Sequence, residues 1–214
     1  MLDTLLHAAR PLLTPAFTLW GSPATWLELV AFVMALLMVA CNLRVNPAAW
    51  PLAIASSLLY ALLFADAGLY GAAGLQFVFI AVALWGWWQW LRGTGADGAA
   101  LRVHVMTPRQ RALAAAATLA AWPLLALLLD RATDSDVPWL DALPTVASIT
   151  GQILLGRKLL ENWAVWLGVN LFSVGLFALK GLWLTVILYA IFAVLSAVGW
   201  RVWSQRLPAE AARG

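Results

Sequence analysis

Charged residues are scarce in this chain, and their scarcity excludes an ordinary soluble domain. Only 11% of the 214 residues are Asp, Glu, Lys or Arg, and 64% are apolar, whereas soluble proteins average about 25% charged residues. The charges that are present lie between long apolar segments. This pattern predicts a polytopic membrane protein, and the length suits about seven spans of about 20 residues with short loops.

The residue types that carry metal and redox chemistry are also rare. Cys41 is the only cysteine, which excludes a disulfide within the chain. His7 and His104 are the only histidines, and neither lies near a second candidate ligand, so the sequence predicts no metal site. No nucleophile is spaced with a base, and the basic residues lie in separate loops rather than in one patch. These patterns argue against an enzyme, a bound cofactor and a nucleic-acid partner.

The apolar segments predict an all-α fold of seven transmembrane helices. The predicted spans are residues 26–43, 47–65, 70–91, 110–129, 139–156, 163–179 and 181–203. Because Pro11 and Pro15 interrupt the first apolar stretch, residues 1–25 are expected to form a short interfacial segment. Of the 13 Lys and Arg residues, 10 then fall on one side of the membrane and 3 on the other. This bias predicts an external N-terminus and a cytoplasmic tail at 204–214.

Short motifs recur in the two ends of the chain and indicate an internal duplication. The matched pairs are Asn46-x-x-x-Trp50 with Asn162-x-x-x-Trp166, Gly68-Leu69-Tyr70 with Gly181-Leu182-Trp183, and Gly86-Trp87-x-x-Trp90 with Gly199-Trp200-x-x-Trp203. The first pair is separated by 116 positions and the others by 113, so we expect one three-residue gap. The matches predict two parallel three-helix repeats, 26–91 and 138–203, joined by a loop, a linker helix and a second loop within 92–137. Carriers built in this way bind substrate between the repeats, near the middle of the membrane.

The polar residues deep in the predicted spans are uncharged. No Asp, Glu, His or Lys falls at the predicted midplane, which argues against a proton relay. The candidate substrate contacts are Trp163, Trp166, Asn170 and Ser173 on one face of span 6, Ser148 and Gln152 on span 5, and Gln76 and Tyr189 at matching positions of spans 3 and 7. Indole rings stack on a flat, preferably cationic ring, and amides and hydroxyls bind its polar groups.

Two alternatives apply to these side chains. Polar residues in spans also join neighbouring helices by hydrogen bonds without binding any ligand. Tryptophans near span ends usually form a belt at the membrane interface. We assign Trp20, Trp26, Trp88, Trp139 and Trp203 to such a belt.

The run Glu161-Asn162-Trp163-x-x-Trp166-x-x-x-Asn170, followed by Lys180-Gly181-Leu182-Trp183-Leu184-Thr185, resembles the PnuC family of nicotinamide riboside transporters. The stretch from Leu69 to Trp90 resembles the matching region of the first half of that family. The resemblance implies a fold similar to SWEET sugar transporters, with two three-helix units and a linker helix. It also implies facilitated diffusion of nicotinamide riboside, with substrate contacts from Trp163, Trp166 and Asn170 and a further candidate in Gln76.

We therefore expect a uniporter for nicotinamide riboside in the bacterial inner membrane, with a small-molecule vitamin substrate and the lipid bilayer as partners. Thiamine, riboflavin and deoxynucleosides, which similar carriers transport, stay open as alternative substrates. An intramembrane enzyme would need a spaced nucleophile and base, and a structural scaffold would have no use for two polar stripes. The oligomeric state stays open, including a homo-oligomer.

Overall fold

The computed structural model describes residues 11–12, 14–19, 21–66, 70–95, 98–132, 138–179 and 183–207. Within these ranges the chain is a bundle of seven long helices. They are α1 (Trp26–Leu43), α2 (Ala49–Asp66), α3 (Tyr70–Arg92), α4 (Pro108–Ala132), α5 (Pro138–Gly156), α6 (Asn162–Leu179) and α7 (Trp183–Ser204). Each begins and ends within three residues of its predicted span, so the predicted helices are confirmed.

Three helical segments are long and apolar enough to cross a membrane, namely Gly74–Arg92, Pro108–Ala132 and Val186–Ser204. Shorter apolar segments occupy Leu29–Leu43, Ala49–Leu62 and Asn162–Leu176. A helix satisfies its backbone polar groups internally, which a chain surrounded by lipid requires. On α4, large side chains such as Leu119 and Leu124 are more than half exposed, as expected for a surface that faces lipid.

The segment before α1 contains a two-stranded hairpin that the sequence did not predict. Strand β1 (Pro15–Leu19) pairs antiparallel with β2 (Ser22–Thr25). Gly21 in the connecting turn has φ +86°, a conformation that favours glycine. Strand β2 leads directly into α1, and the Trp26 N–H donates a hydrogen bond of 3.3 Å back to Thr14 O.

Helix packing follows a regular pattern along the chain. In the first half α1 packs on α2 and α2 on α3, and in the second half α5 packs on α6 and α6 on α7. Helix α4 packs on α5. Two further contacts join the halves: α3 packs on α5, and α1 packs on α7. If α1, α2 and α3 correspond to α5, α6 and α7, the α3–α5 contact corresponds to the α7–α1 contact.

Two tryptophan pairs repeat this correspondence at the level of side chains. Trp50 meets Trp90 edge to face with 5.4 Å between ring centroids, and Trp163 meets Trp203 in the same arrangement at 5.5 Å. The second pair lies 113 residues after the first. The expected three-residue gap is therefore wrong at this point, because Trp50 takes the place of Trp163 and not that of Trp166.

The turns between the first two helices of each half are also alike. The Val45 N–H donates to Asn42 O at 3.0 Å, and the Lys158 N–H donates to Leu155 O at 2.9 Å. Val45 and Lys158 both have positive φ, 56° and 54°. Residues other than glycine rarely adopt this backbone conformation, so its recurrence 113 residues later is a specific similarity between the two turns.

The assignment of Trp203 to the interfacial belt is wrong. This residue is fully buried, because its ring packs against Trp163 and its indole N–H donates a hydrogen bond of 3.0 Å to Asn42 O. By contrast, Trp26, Trp88 and Trp139 are about half exposed, as belt residues are. The other residue assigned to the belt, Trp20, lies outside the described residues.

Candidate substrate-binding site

A cavity of about 140 Å³ lies between α1, α5, α6 and α7. Its walls combine aromatic rings, aliphatic side chains, amides and two hydroxyl groups. The lining residues are Met38, Val39, Asn42, Gln152, Leu155, Asn162, Trp163, Trp166, Asn170, Tyr189, Phe192 and Ser196. A concave, mostly apolar site with a few polar groups is the usual form of a small-molecule binding site.

The tight turn between α5 and α6 brings both helices to the wall of the cavity. The Leu159 N–H donates to Leu154 O at 3.0 Å, and Asn162 Nδ2 donates to Leu159 O at 2.6 Å. The chain thus reverses within five residues, and α6 begins at the fully buried Asn162. Gln152 and Leu155 at the end of α5 therefore line the same space as Asn162 at the start of α6.

Trp163 has a packing role as well as a place in the cavity wall. Only 3% of it is exposed, and its ring lies so close to Gly199 of α7 that a Cβ there would enter the ring. Its edge-to-face contact with Trp203 fixes the ring further. Trp163 is therefore less free to stack on a ligand than its position in the sequence motif suggests.

Trp166 offers a better stacking surface. It is half-buried and lines the cavity one turn after Trp163. Its ring lies against Gly151 of α5, where a Cβ would come within 3.2 Å of the indole. Glycine at this position therefore lets the indole approach the helix closely.

A hydrogen bond between α6 and α7 orients the amide of Asn170. Its Nδ2 donates to Ser196 Oγ at 3.1 Å, and the Ser196 hydroxyl donates to Phe192 O at 2.7 Å. Asn170 is only 4% exposed, and all three residues line the cavity. The bond holds the amide in one orientation at the cavity wall.

The cavity gathers five of the eight residues predicted from the sequence. They are Gln152, Trp163, Trp166, Asn170 and Tyr189. The other three do not line it: Ser173 is buried on α6, and Ser148 and Gln76 are half-buried on α5 and α3.

Sequence reasoning missed three polar residues of the cavity, Asn42, Asn162 and Ser196. A signal was available for Ser196, because Tyr189, Phe192 and Ser196 have the same i, i+3, i+7 spacing that identified the face on α6. Asn42 carried no such signal, since it stands alone near the end of its span.

No Asp, Glu, Lys, Arg or His is among the described residues that line the cavity. The nearest charges in sequence belong to the turn that follows α5. Lys158 Nζ donates to Leu101 O at 2.9 Å and lies 5.2 Å from the ring centroid of Trp90. Burial removes part of its hydration and lowers the pKa of the Lys158 ammonium group below its ordinary value.

Residues 98–107, named the strap below, pack on the same turn. The His104 N–H donates to Lys158 O at 3.1 Å, and the Leu160 N–H donates to His104 O at 2.9 Å. Glu161 Oε1 accepts hydrogen bonds of 2.9 Å from the Met106 N–H and from Arg111 Nε. The strap thus fixes the turn that immediately precedes Asn162 and Trp163.

A comparison with protein families matches residues 25–205 to the family described as nicotinamide mononucleotide transporter. The riboflavin/roseoflavin transporter RibM of Streptomyces davaonensis is 33% identical over 192 residues, which cover 88% of this chain and 89% of the relative. The nicotinamide riboside transporter PnuC of Escherichia coli is 26% identical over 208 residues, which cover 86% and 87%.

A solved structure is similar to the bundle described above. It is the crystal structure of the vitamin B3 transporter PnuC, which matches with a TM-score of 0.69 and 25% sequence identity. The match covers 84% of this chain and 81% of that chain. The similarity therefore extends over most of this chain.

Proposed function

The chain belongs to the nicotinamide mononucleotide transporter family, and from this premise we propose that it carries nicotinamide riboside across the bacterial inner membrane by facilitated diffusion. It is a membrane transporter of the PnuC family and not an enzyme, as its relatives and its fold indicate. The substrate is the part that we propose, together with the direction and mode of transport.

The composition of the cavity wall is the observation that carries this proposal. Trp166 presents an aromatic face, and Asn170 and Gln152 present amides, without an acidic or basic lining residue. A pyridinium ring is flat and cationic, so stacking on an indole favours it. The amides bind carboxamide and hydroxyl groups, which a nicotinamide nucleoside carries.

Riboflavin is the second candidate, because the relative with 33% identity is a riboflavin/roseoflavin transporter. The volume of the cavity, about 140 Å³, favours the smaller ligand. Sites for drug-sized ligands usually measure about 300–1,000 Å³. A nucleoside with a single-ring base therefore needs less expansion of this site than a three-ring flavin does. Thiamine, which also has a cationic ring, is the third candidate.

The lining also disfavours a phosphorylated substrate. Burying a charged phosphate group without a cationic partner costs a large desolvation free energy, and Lys and Arg are the usual partners. None of the described lining residues is basic. We therefore propose that the nucleoside binds and that its 5′-phosphate does not.

The proposed architecture is two parallel three-helix repeats, 26–91 and 138–203, joined by α4, as in the SWEET-like arrangement. Two observations support it. The α3–α5 contact corresponds to the α7–α1 contact when the two sets of three helices are compared, and the tryptophan pairs of the two halves match. The described cavity wall lacks an acid, which supports transport without proton coupling. The distribution of Lys and Arg supports an external N-terminus and a cytoplasmic C-terminus.

Binding to the purified protein tests the substrate. Nicotinamide riboside, nicotinamide mononucleotide, riboflavin and thiamine are each added in a thermal-shift assay, because a ligand that binds only the folded state raises the unfolding temperature. We expect the largest rise with nicotinamide riboside and none with the mononucleotide. A rise with riboflavin alone would assign the second candidate instead.

Proteoliposomes test the mode of transport. Uptake of labelled nicotinamide riboside should reach equal concentrations on both sides, and an imposed proton or sodium gradient should not cause accumulation. For orientation, cysteines placed at Arg102 or Arg206 should resist an impermeant thiol reagent in intact cells, while a cysteine at Asp130 should react. Accumulation, or the opposite labelling pattern, would refute the corresponding part of the proposal.

A further inference from the structure

Two buried amide oxygens of residues that line the cavity have no hydrogen-bond partner among the described residues. They are Oδ1 of Asn42, on the last turn of α1, and Oδ1 of Asn162, on the first turn of α6. Asn42 is 5% exposed and Asn162 is fully buried, and both line the cavity. A buried carbonyl oxygen without a partner costs about 1–3 kcal/mol, so such groups usually serve a ligand or a bound water.

The positions of these amides in the other half of the chain are apolar. The residue that corresponds to Asn42, 113 positions later, is Leu155, and the one that corresponds to Asn162, 113 positions earlier, is Ala49. Leu155 lines the same cavity as Asn42. The bond from Asn162 Nδ2 to Leu159 O explains the nitrogen of that amide, but the turn uses neither Oδ1 atom. The two oxygens are therefore the groups that need a partner from the cavity.

A third unpartnered group in the cavity wall carries less information. The indole Nε1 of Trp163 has no hydrogen-bond partner among the described residues, but neither has Nε1 of Trp50, its counterpart. Trp50 does not line the cavity. An unpartnered N–H thus accompanies this tryptophan packing in both halves, whereas the unpartnered amide oxygens occur only where the cavity lies.

We propose that Asn42 and Asn162 determine specificity by accepting hydrogen bonds from donor groups of the substrate other than the ring that stacks on Trp166. An acceptor pair selects ligands with hydroxyl or N–H donors and rejects analogues that lack them, because those analogues leave the oxygens unpaired. For the nucleoside proposed above, the donors are ribose hydroxyls. This inference rests on the proposed site and adds its second point of recognition.

The backbone of Asn42 already has a separate role, which makes the side chain testable by itself. Asn42 O accepts the hydrogen bond from Trp203 Nε1, and this bond does not depend on the side chain. Asn42→Leu introduces the residue found at the corresponding position in the other half, so we expect the variant to fold. Asn46→Ala is the control, because Asn46 is an exposed amide four residues later that accepts from the Ala48 N–H outside the cavity.

The experiment is calorimetric titration of the purified full-length protein and its variants with nicotinamide riboside and its 2′-, 3′- and 5′-deoxy analogues. Asn42→Leu should weaken binding of the parent nucleoside roughly twofold to tenfold, the effect of one net hydrogen bond. Asn46→Ala should bind like the wild type. One deoxy analogue should bind to the wild type more weakly than the parent nucleoside does. Asn42→Leu should bind that analogue and the parent nucleoside equally well. Asn162→Ala should show the same coupling with a hydroxyl.

This coupling is a ratio measured within each protein, so a general loss of affinity in a variant does not produce it. Wild-type affinity in both Asn42→Leu and Asn162→Ala would overturn the inference and leave the proposed substrate in place. The inference would also be overturned if every deoxy analogue lost the same affinity, relative to the parent nucleoside, in the wild type and in the variants. If the wild type binds riboflavin and not nicotinamide riboside, the proposed substrate fails. The same variants titrated with riboflavin then test the inference, since the ribityl chain also carries hydroxyl donors.

Discussion

The indole Nε1 of Trp203 donates a hydrogen bond of 3.0 Å to the backbone oxygen of Asn42, 161 residues earlier in the chain. It joins the last turn of α7 to the last turn of α1 at the wall of the cavity. The hydrogen bond from Trp90 Nε1 to Leu155 O, also 3.0 Å long, joins α3 to α5 in the same way. The contacts between the two halves of the chain thus include two buried hydrogen bonds.

Substituting either tryptophan should destabilise the bundle. Trp203→Phe and Trp90→Phe each keep an aromatic ring but leave a buried backbone oxygen without its donor, at a cost of about 1–3 kcal/mol. Trp88→Phe, at an exposed position on α3, serves as the control and should change stability by less than about 0.5 kcal/mol. Thermal unfolding in detergent measures the difference. Equal unfolding temperatures for Trp203→Phe and the wild type would show that this bond does not stabilise the bundle.

Two glycines allow tryptophan rings to pack against the third helix of each half. A Cβ at Gly199 would enter the ring of Trp163, and a Cβ at Gly86 would enter the ring of Trp50. Gly199→Ala and Gly86→Ala should therefore each cost about 1–3 kcal/mol of stability, as overpacking does. Only Gly199→Ala should also weaken substrate binding, because Trp163 lines the cavity and Trp50 does not.

Gly168→Ala is the control for these two variants. A Cβ at this position of α6 meets no atom within 4 Å, so alanine should leave stability unchanged or raise it by up to about 1 kcal/mol. Thermal unfolding and ligand titration are measured on all three variants. If Gly199→Ala has the same unfolding temperature and the same ligand affinity as Gly168→Ala, the Trp163 ring has room to move and does not shape the cavity.

The helices could be predicted from the sequence because an apolar run surrounded by lipid has few ways to satisfy its backbone. The hairpin at 15–25 and the strap could not. The strap is held on the α5–α6 turn mainly through the backbone of His104 and the carboxylate of Glu161. Backbone pairing leaves little trace in the side-chain pattern, so this stretch of the sequence indicates only a polar, glycine-containing loop.

The candidate site was predictable in part for a similar reason. Trp166 and Asn170 lie at helical spacing within one apolar run, so the sequence indicates a shared face. The prediction for Trp203 was wrong because a tryptophan near a span end has the same local sequence whether it faces lipid or the bundle. Asn42 was missed because its neighbours in the cavity, such as Gln152, come from distant parts of the chain.

The carboxylate of Glu161 should hold the strap on the bundle. Glu161→Ala removes the acceptor for the Met106 N–H and should cost about 1–3 kcal/mol. Glu161→Gln keeps an acceptor and should cost less. Arg111→Met removes only the exposed partner of the ion pair and should cost at most about 1 kcal/mol. Thermal unfolding ranks the three variants, and an Arg111→Met loss as large as that of Glu161→Ala would contradict this assignment.

Lys158 should make the stability of the protein depend on pH in the alkaline range. Burial lowers the pKa of its ammonium group in the folded state below the ordinary value of 10.5. Between these two pKa values the unfolded chain binds more protons than the folded chain, so this contribution to stability rises with pH. The wild type should therefore gain stability relative to Lys158→Met as the pH is raised from 7 towards 10. A difference in unfolding temperature that is constant or falls with pH would contradict the prediction.

Trp166 should contribute more to ligand affinity than any other aromatic residue of the site. It lines the cavity and is half-buried, whereas Trp163 is held in contact with Trp203 and Gly199. Trp166→Ala should remove stacking on a cationic ring, worth about 0.5–2 kcal/mol, which is a loss of about twofold to thirtyfold in affinity. Trp166→Phe should retain part of the affinity, because a smaller aromatic face remains.

Trp88→Phe is the control for this series, since Trp88 is exposed on α3 and does not line the cavity. The measurement is calorimetric titration of each purified variant with nicotinamide riboside, after gel filtration has established that it is folded. The order of affinity should be wild type and Trp88→Phe, then Trp166→Phe, then Trp166→Ala. If folded Trp166→Ala binds with wild-type affinity, the ring does not stack on the ligand and Trp166 serves only to pack α6 against Gly151 of α5.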